Sequence, residues 1–273
     1  MHLDLHLHST CSDGSLPPRE VVGAARRAGL GMIALADHDT AAGVARARAA
    51  AAAPDGGRIG IITAAEFTCD LGGAEVHLLG YAFRLDDPGL AAITARAGQA
   101  RRERLAAMVE RLRDLGVGLA LEDVTAEPEC ASIGRMHLAR ALVRHRVASS
   151  VSDAFTRFIG DRAPAFVPSR GPAVADAIAA INGAGGCAVW AHPSLEDARK
   201  FAALGAAGLA GVEALRPSLD PVSSSALEVS ARADGLFVTG GSDWHGGTRP
   251  ALGSWFVTER HVGEFLERVG IPG

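Results

Sequence analysis

At the start of the chain Leu3, Leu5 and Leu7 interleave with Asp4, His6 and His8. A period of two predicts a strand and puts both histidines on one face. A Pro-Pro start, Glu20 in the first turn and Gly29 as a stop predict a helix over 17–28. Residues 32–36 predict the next strand, 41–53 a helix stopped by Pro54, and 59–66 and 76–82 two more strands. The pattern then changes: 88–114 and 132–159 read as arginine-rich helices, with at most a strand over 117–121 between them. Alternation returns with helices over 173–184, 196–206, 220–234 and 261–269, and strands over 187–191, 210–214, 236–240 and 253–257. Repeated strand–helix alternation predicts an α/β fold with a parallel sheet, open or closed into a barrel. A helical insertion over 96–165 would divide that body into 1–95 and 166–273.

Composition narrows the class. The chain has 273 residues, 48% of them hydrophobic, enough for one large α/β domain. A formal net charge of -4 argues against a general nucleic-acid coat but leaves room for a local basic pocket. Lys200 is the sole lysine, so chemistry needing a lysine elsewhere is excluded. Cys11, Cys69, Cys130 and Cys187 form no CxxC pair, and the chain opens on no signal-like segment, which together predict a reducing, cytoplasmic setting. No apolar run reaches the length of a membrane span.

The chemistry collects at strand ends. His6 and His8 leave the first strand together, and Asp13 follows in the next loop. His38 ends the second strand, Glu66 the third, His77 lies in the fourth, and His192 closes the strand over 187–191. Asp243 and His245 follow the last long strand. Ligand-type residues recurring at the C-terminal ends of successive strands are what an α/β-barrel active site requires. Imidazole with carboxylate suits divalent zinc, manganese or iron, and nine candidates exceed the needs of one ion. Clustered cations would also offset the repulsion among Asp13, Glu66 and Asp243. Asp4, Asp37 and Asp39 read as loop or supporting groups, with Asp37 expected to orient a ligand histidine. Cys11 reads as a small residue near the site; His2, His145 and His261 read as surface residues.

The segments His6-Leu-His8-Ser-Thr-Cys-Ser-Asp13-Gly, Leu35-Ala-Asp37-His38-Asp39, Ala65-Glu66, Val76-His77-Leu-Leu-Gly, Ala191-His192-Pro193 and Gly241-Ser-Asp243-Trp-His245 resemble the PHP (polymerase and histidinol phosphatase) superfamily over nearly the whole chain. The resemblance is greatest to the stand-alone branch of 3′,5′-nucleoside bisphosphate phosphatases and a related 5′-to-3′ exoribonuclease. It implies a distorted (β/α)7 TIM-like barrel with a small helical insertion. It implies three ions, usually manganese with zinc or iron as alternatives. His6, His8, Glu66 and Asp243 would hold the first. Glu66 would bridge to a second held by His77 and His192, and Asp13, His38 and His245 would hold the third. Glu66, His192 and Asp243 would be the catalytic residues of a phosphoesterase acting on a nucleotide or short RNA, with neither a membrane nor a stable protein partner.

The segment Gly134-Arg135-Met-His137-Leu-Ala-Arg140 resembles the branch motif whose Arg and His meet a substrate phosphate, so Arg135 and His137 are the expected phosphate contacts. A helix N-terminus bearing Arg and His independently suits an anion. Ser169, where relatives often carry Lys, and Ala214-Leu215 after Glu213 depart from the pattern. Rival readings are a histidinol-phosphate-type phosphatase, a non-catalytic metal-binding module and an amidohydrolase; binuclear members of the last often use a carboxylated lysine at a strand end.

Overall fold

The computed structural model describes residues 1–53, 57–125, 130–247 and 250–271; the Pro54 helix stop lies outside them. Eight strands form one curved, nearly closed sheet in the order β7-β6-β5-β4-β3-β2-β1-β8. β1 (His2–Leu7), β2 (Met32–Leu35) and β3 (Gly60–Leu71) run parallel. So do β5 (Cys187–Trp190), β6 (Gly211–Leu215) and β7 (Phe237–Gly240). Between the two sets, β4 (Ala74–Tyr81) is antiparallel to both neighbours. The simple alternation expected from the sequence fails here for a local reason. Gly72 and Gly73 take φ of 64° and 88°, a two-residue turn that can only return the chain as a hairpin. The predicted strand over 253–257 shrinks to β8 (Val257–Thr258), antiparallel to the start of β1.

Helices α1 (Pro18–Arg27), α2 (Val44–Ala52), the first half of α3 (Pro88–Asp114), α7 (Val174–Gly183), α8 (Phe201–Ala206) and α9 (Pro221–Ala233) cover the outside. Helix α10 (Glu259–Arg268) packs Phe265 against Tyr81 and Phe237, with ring centroids 4.9 and 5.8 Å away. Leu3, Leu5, Ala34, Ile62, Leu79 and Val189 join them in one apolar interior. This interior leaves the polar chemistry to the strands' other ends. No helix among the described residues is long and apolar enough to cross a membrane.

A second core lies apart. Leu105, Met108 and Leu112 of the far half of α3 pack with Val124 of α4 (Leu121–Val124), Leu138 and Leu142 of α5 (Arg135–Arg144), and Ala154 of α6 (Val151–Ala154). The separation between the two cores therefore runs through a continuous helix rather than a linker. The predicted strand over 117–121 is absent, since Val117 and Leu119 are consumed by this helical core. The long helix expected over 132–159 breaks into α5, α6 and a π turn over Phe155–Ile159.

Two details position the site. In β1 the register shifts between Asp4 and Leu7, so strict alternation fails. Leu3 and Leu5 face the interior, Leu7 packs outside with Val21 and Val22, and His6 and His8 then point inward. Beyond β7 the chain closes on β1: the His8 amide donates to the Trp244 carbonyl at 3.0 Å. Gly241 makes that closure, because a Cβ there would stand 2.1 Å from the Cβ of His6. Gly241→Ala should therefore cost about 2 kcal/mol or more by overpacking, read by urea denaturation. Gly183→Ala, where an added Cβ meets nothing within 4 Å, should leave stability unchanged or slightly higher.

Candidate metal centre

All nine side chains singled out from the sequence meet at the C-terminal rim. Glu66, fully buried within β3, is their hub. Its Oε2 lies 3.3 Å from His6 Nε2, 3.4 Å from His8 Nε2 and 3.0 Å from His38 Nδ1. Its Oε1 lies 3.0 Å from both His77 Nδ1 and His192 Nε2. Asp243 Oδ1 faces His6 and His8 at 3.4 and 3.2 Å. Asp13 faces His245 at 3.3 Å, His8 at 3.7 Å and His38 at 3.8 Å. His38 thus spans two groups, with one ring nitrogen towards Glu66 and the other towards Asp13. Asp39, His192 and Asp243 hold φ of 50°, 37° and 54°, a left-handed turn at three strand ends. Such backbone is costly for non-glycine residues and is kept where surrounding contacts over-determine it.

This arrangement fits divalent cations. Three overlapping groups have ligand atoms within 4.8 Å of one another: His6, His8, Glu66 and Asp243; His8, Asp13, His38 and His245; and His38, Glu66 and His77. His192 joins the last at 3.2 Å from His77. Buried atoms without a hydrogen-bond partner among the described residues include His6 Nε2, both His8 nitrogens, Asp13 Oδ1, His38 Nδ1, Glu66 Oε2 and Asp243 Oδ1. Buried polar atoms are normally satisfied, and a converging set that points at itself is what bound cations would satisfy.

Supporting groups fix the ligands. Glu213, in the apolar run of β6, accepts from His6 Nδ1 at 2.9 Å and from the His192 amide at 3.0 Å. Sequence reasoning passed over it, although a carboxylate inside a buried strand was the available signal. Asp4 accepts from the Ser242 amide at 2.9 Å, tying β1 to the loop that carries Asp243. Asp37 does not orient a histidine as expected. It accepts from the Ser9 amide and hydroxyl and from the Ser12 hydroxyl at 2.7–2.8 Å, shaping the loop that presents Asp13. Cys11 is fully buried, and its carbonyl accepts from the amides of Ala131 and Ser132, docking the insertion on that loop. His2, His145 and His261 are exposed. Lys200 lies on a 3-10 turn rather than in a strand; it pairs with Asp197 at 2.8 Å and sits over the Trp190 ring at 5.5 Å.

The insertion adds a second feature. A cavity of about 120 Å³ opens beside the ligands, lined by Asp13, His38 and His77 below and Arg101, Arg104 and Arg135 above. Arg101, on α3, is clamped by Asp39 and donates to Thr68 Oγ1 at 2.6 Å. Arg104 donates to the Val167 carbonyl at 2.7 Å. Arg135 stacks over Phe155 and Phe166 at 5.8 and 5.7 Å. His137 is not brought to this cavity. It is fully buried, its Nδ1 accepts from the Gly134 amide at 3.0 Å, and its Nε2 lies 3.2 Å from Cys130 Sγ. It fastens the start of α5, while Arg101 and Arg104, unremarked in the sequence, stand beside Arg135 instead.

The electrostatics follow from packing carboxylates and imidazoles together. Burial works against the charge on Glu66, yet His38, His77 and His6 outweigh it and hold the carboxyl well below its usual range. Burial likewise opposes charge on His77, but Glu66 and Glu75 raise it to about 10. Against the same penalty, Asp13 and Asp243 raise His245 to about 9. His8 falls to about 3 through burial and the neighbouring His245. Without metal, His77 and His245 therefore hold protons at neutral pH, and a cation must expel them. Manganese binding should release protons at pH 7, and affinity should rise between pH 6 and 8 by up to about tenfold per unit per proton expelled. Calorimetry in two buffers of different ionisation enthalpy reads this; binding without proton release would contradict the assignment.

Comparison with known proteins agrees with this geometry. Residues 4–117 match the PHP domain family model. The chain is 34% identical over 257 residues to a 3′,5′-nucleoside bisphosphate phosphatase of Chromobacterium violaceum, spanning 89% of this chain and 87% of that one. It is 35% identical over 190 residues to a 5′-3′ exoribonuclease of Haemophilus influenzae, spanning 70% and 68%. A solved structure assigned as a metal-dependent phosphoesterase, from Bifidobacterium adolescentis, superposes with a TM-score of 0.87 at 33% identity, covering 97% of this chain and 96% of that one. The chain belongs to the PHP family, as a metal-dependent phosphoesterase.

Proposed function

We propose that the chain removes the 3′-phosphate from 3′,5′-nucleoside bisphosphates and, by the same chemistry, releases 5′-end nucleotides from short RNA. One observation carries this reading: the ligand cluster and the three-arginine cavity share Asp13, His38 and His77 as a common wall. A substrate with two phosphates can place the reacting one at the ligands and the other among the guanidiniums, whose planar forks suit phosphate. Relatives named for these two activities support the choice. A second, open cleft lined by Val76, His77, His192, Pro193 and Lys200 leaves the cluster in another direction and gives a longer strand a path.

Three manganese ions, with zinc or iron as substitutes, would supply the Lewis acidity that activates water and neutralises phosphoryl charge. His6, His8, Glu66 and Asp243 would hold one ion; Glu66, His77 and His192 a second; Asp13, His38 and His245 the third. Glu66 would serve both of the first two ions, since its two oxygens already face different histidines. Asp243 presents an unpartnered oxygen to the same space. His192, with 36% of its side chain exposed, sits where the substrate enters. Arg101, Arg104 and Arg135 hold the second phosphate and align the reacting one, a positioning effect. Four free thiols support a cytoplasmic setting.

With manganese, adenosine 3′,5′-bisphosphate should yield inorganic phosphate and adenosine 5′-monophosphate. Glu66→Ala should lower kcat by about a thousandfold or more. Arg135→Ala should raise KM for the bisphosphate about 10- to 100-fold, the worth of a charge-assisted contact, and change adenosine 3′-monophosphate far less. Full activity in Glu66→Ala would overturn the scheme.

A further inference from the structure

A cavity suited to a phosphate dianion already contains a carboxylate among its arginines. Glu75, the second residue of β4, lies among the arginines. Its Oε2 is 2.7 Å from Arg104 Nη1, and its Oε1 is 3.6 Å from Arg135 Nη2 and 3.7 Å from His77 Nε2. Among the described residues, the other carboxylates touching these arginines are placed differently. Asp39 is buried and also accepts from the Thr68 amide at 2.8 Å, so it stays with Arg101. Asp161 meets Arg135 from the surface, with 77% of its side chain exposed. Glu75 alone among the three lines the cavity.

Glu75 also has somewhere to go. It follows the Gly72-Gly73 turn, and its side chain remains 24% exposed. It lines both the arginine cavity and the open cleft beyond His77. A carboxylate lining both spaces needs only side-chain rotation, not backbone movement, to pass from one towards the other. The arginines do not need it for their position. Arg104 is held by the Val167 carbonyl and by Phe166 at 5.5 Å, Arg135 by Asp161, Phe155 and Phe166, and Arg101 by Asp39 and Thr68.

We propose that Glu75 is a displaceable internal anion. In the substrate-free enzyme it occupies the phosphate end of the cavity; the substrate's second phosphate must displace it, and its return helps expel phosphorylated product. Unpaired guanidiniums facing one another would repel, so a stand-in carboxylate stabilises the empty cavity. The same charge then competes with the ligand, trading affinity for turnover. This deepens the proposed function and rests on its assignment of the cavity to a non-reacting phosphate.

The test uses the manganese-loaded full chain, wild type and Glu75→Gln, titrated with adenosine 5′-monophosphate and, separately, with adenosine. Glu75→Gln should bind the monophosphate about tenfold more tightly, the scale of removing one like charge from a partly solvated site, and adenosine unchanged. In steady state, KM for the bisphosphate should fall by a similar factor, and kcat should fall as product release slows. Unchanged or weaker monophosphate binding in Glu75→Gln would overturn the proposal, as would equal tightening towards adenosine. Failure of the bisphosphate to turn over in wild type would instead overturn the proposed function, and the titrations would still read the role of Glu75.

Discussion

A single buried carboxylate, Glu66, is shared by five imidazoles from four other segments of the chain, and most of the architecture serves to make that sharing possible. Two oxygens can each face several ligands only if the strand ends carrying them are brought to one rim within about the length of a side chain. The nearly closed sheet does this. The irregularity in β1 turns His6 and His8 inward, and the absence of a side chain at Gly241 lets the chain beyond β7 meet His6. Left-handed backbone at Asp39, His192 and Asp243 aims three strand ends that ordinary extended geometry would send past the site. Below the rim, the apolar interior around Tyr81 and Phe265 supplies the rigid floor.

The same hub explains the layer behind it. Carboxylates beside histidines, all out of water, would be costly if their orientations were loose, because each unsatisfied atom carries a desolvation penalty. Glu213 and Asp4 pin the ligands from the sheet, and Asp37 pins the Asp13 loop. The insertion then reads that loop directly: Arg140 donates to the Asp13 carbonyl at 2.7 Å, and Ala131 and Ser132 donate to Cys11. Barrel and insertion divide the labour. One gathers carboxylates and imidazoles at the rim; the other gathers guanidiniums beside them, and Asp39, held by both Arg101 and Thr68, joins them.

Much of this was legible before any coordinates. His6-x-His8 and the polar residues at strand ends announced the side chains that meet at the rim because ligand chemistry restricts residue types and strand ends restrict where they fall. Glu213 was readable as a carboxylate in an apolar strand and was passed over; Arg101, Arg104 and Glu75 were not legible. Their roles depend on which residues the sheet and α3 bring together across 29 to 63 positions, and an arginine on a helix looks the same whether it faces water or a cavity. His137 misled for a related reason: a histidine at a helix start can meet a ligand or satisfy the helix's own first amides, and here it does the second. The Gly72-Gly73 hairpin was readable from its glycines, but the surrounding strand–helix alternation obscured it.

The account stands on the rim holding several cations around one carboxylate. Anomalous diffraction at the manganese edge, from crystals of the manganese-loaded protein, addresses this most directly. The account predicts separate peaks flanking Glu66, one against His6, His8 and Asp243, one against His77 and His192, and one against Asp13, His38 and His245. A manganese-saturated crystal with no peak touching Glu66, and with the histidines bonded directly to the carboxylates instead, would contradict it.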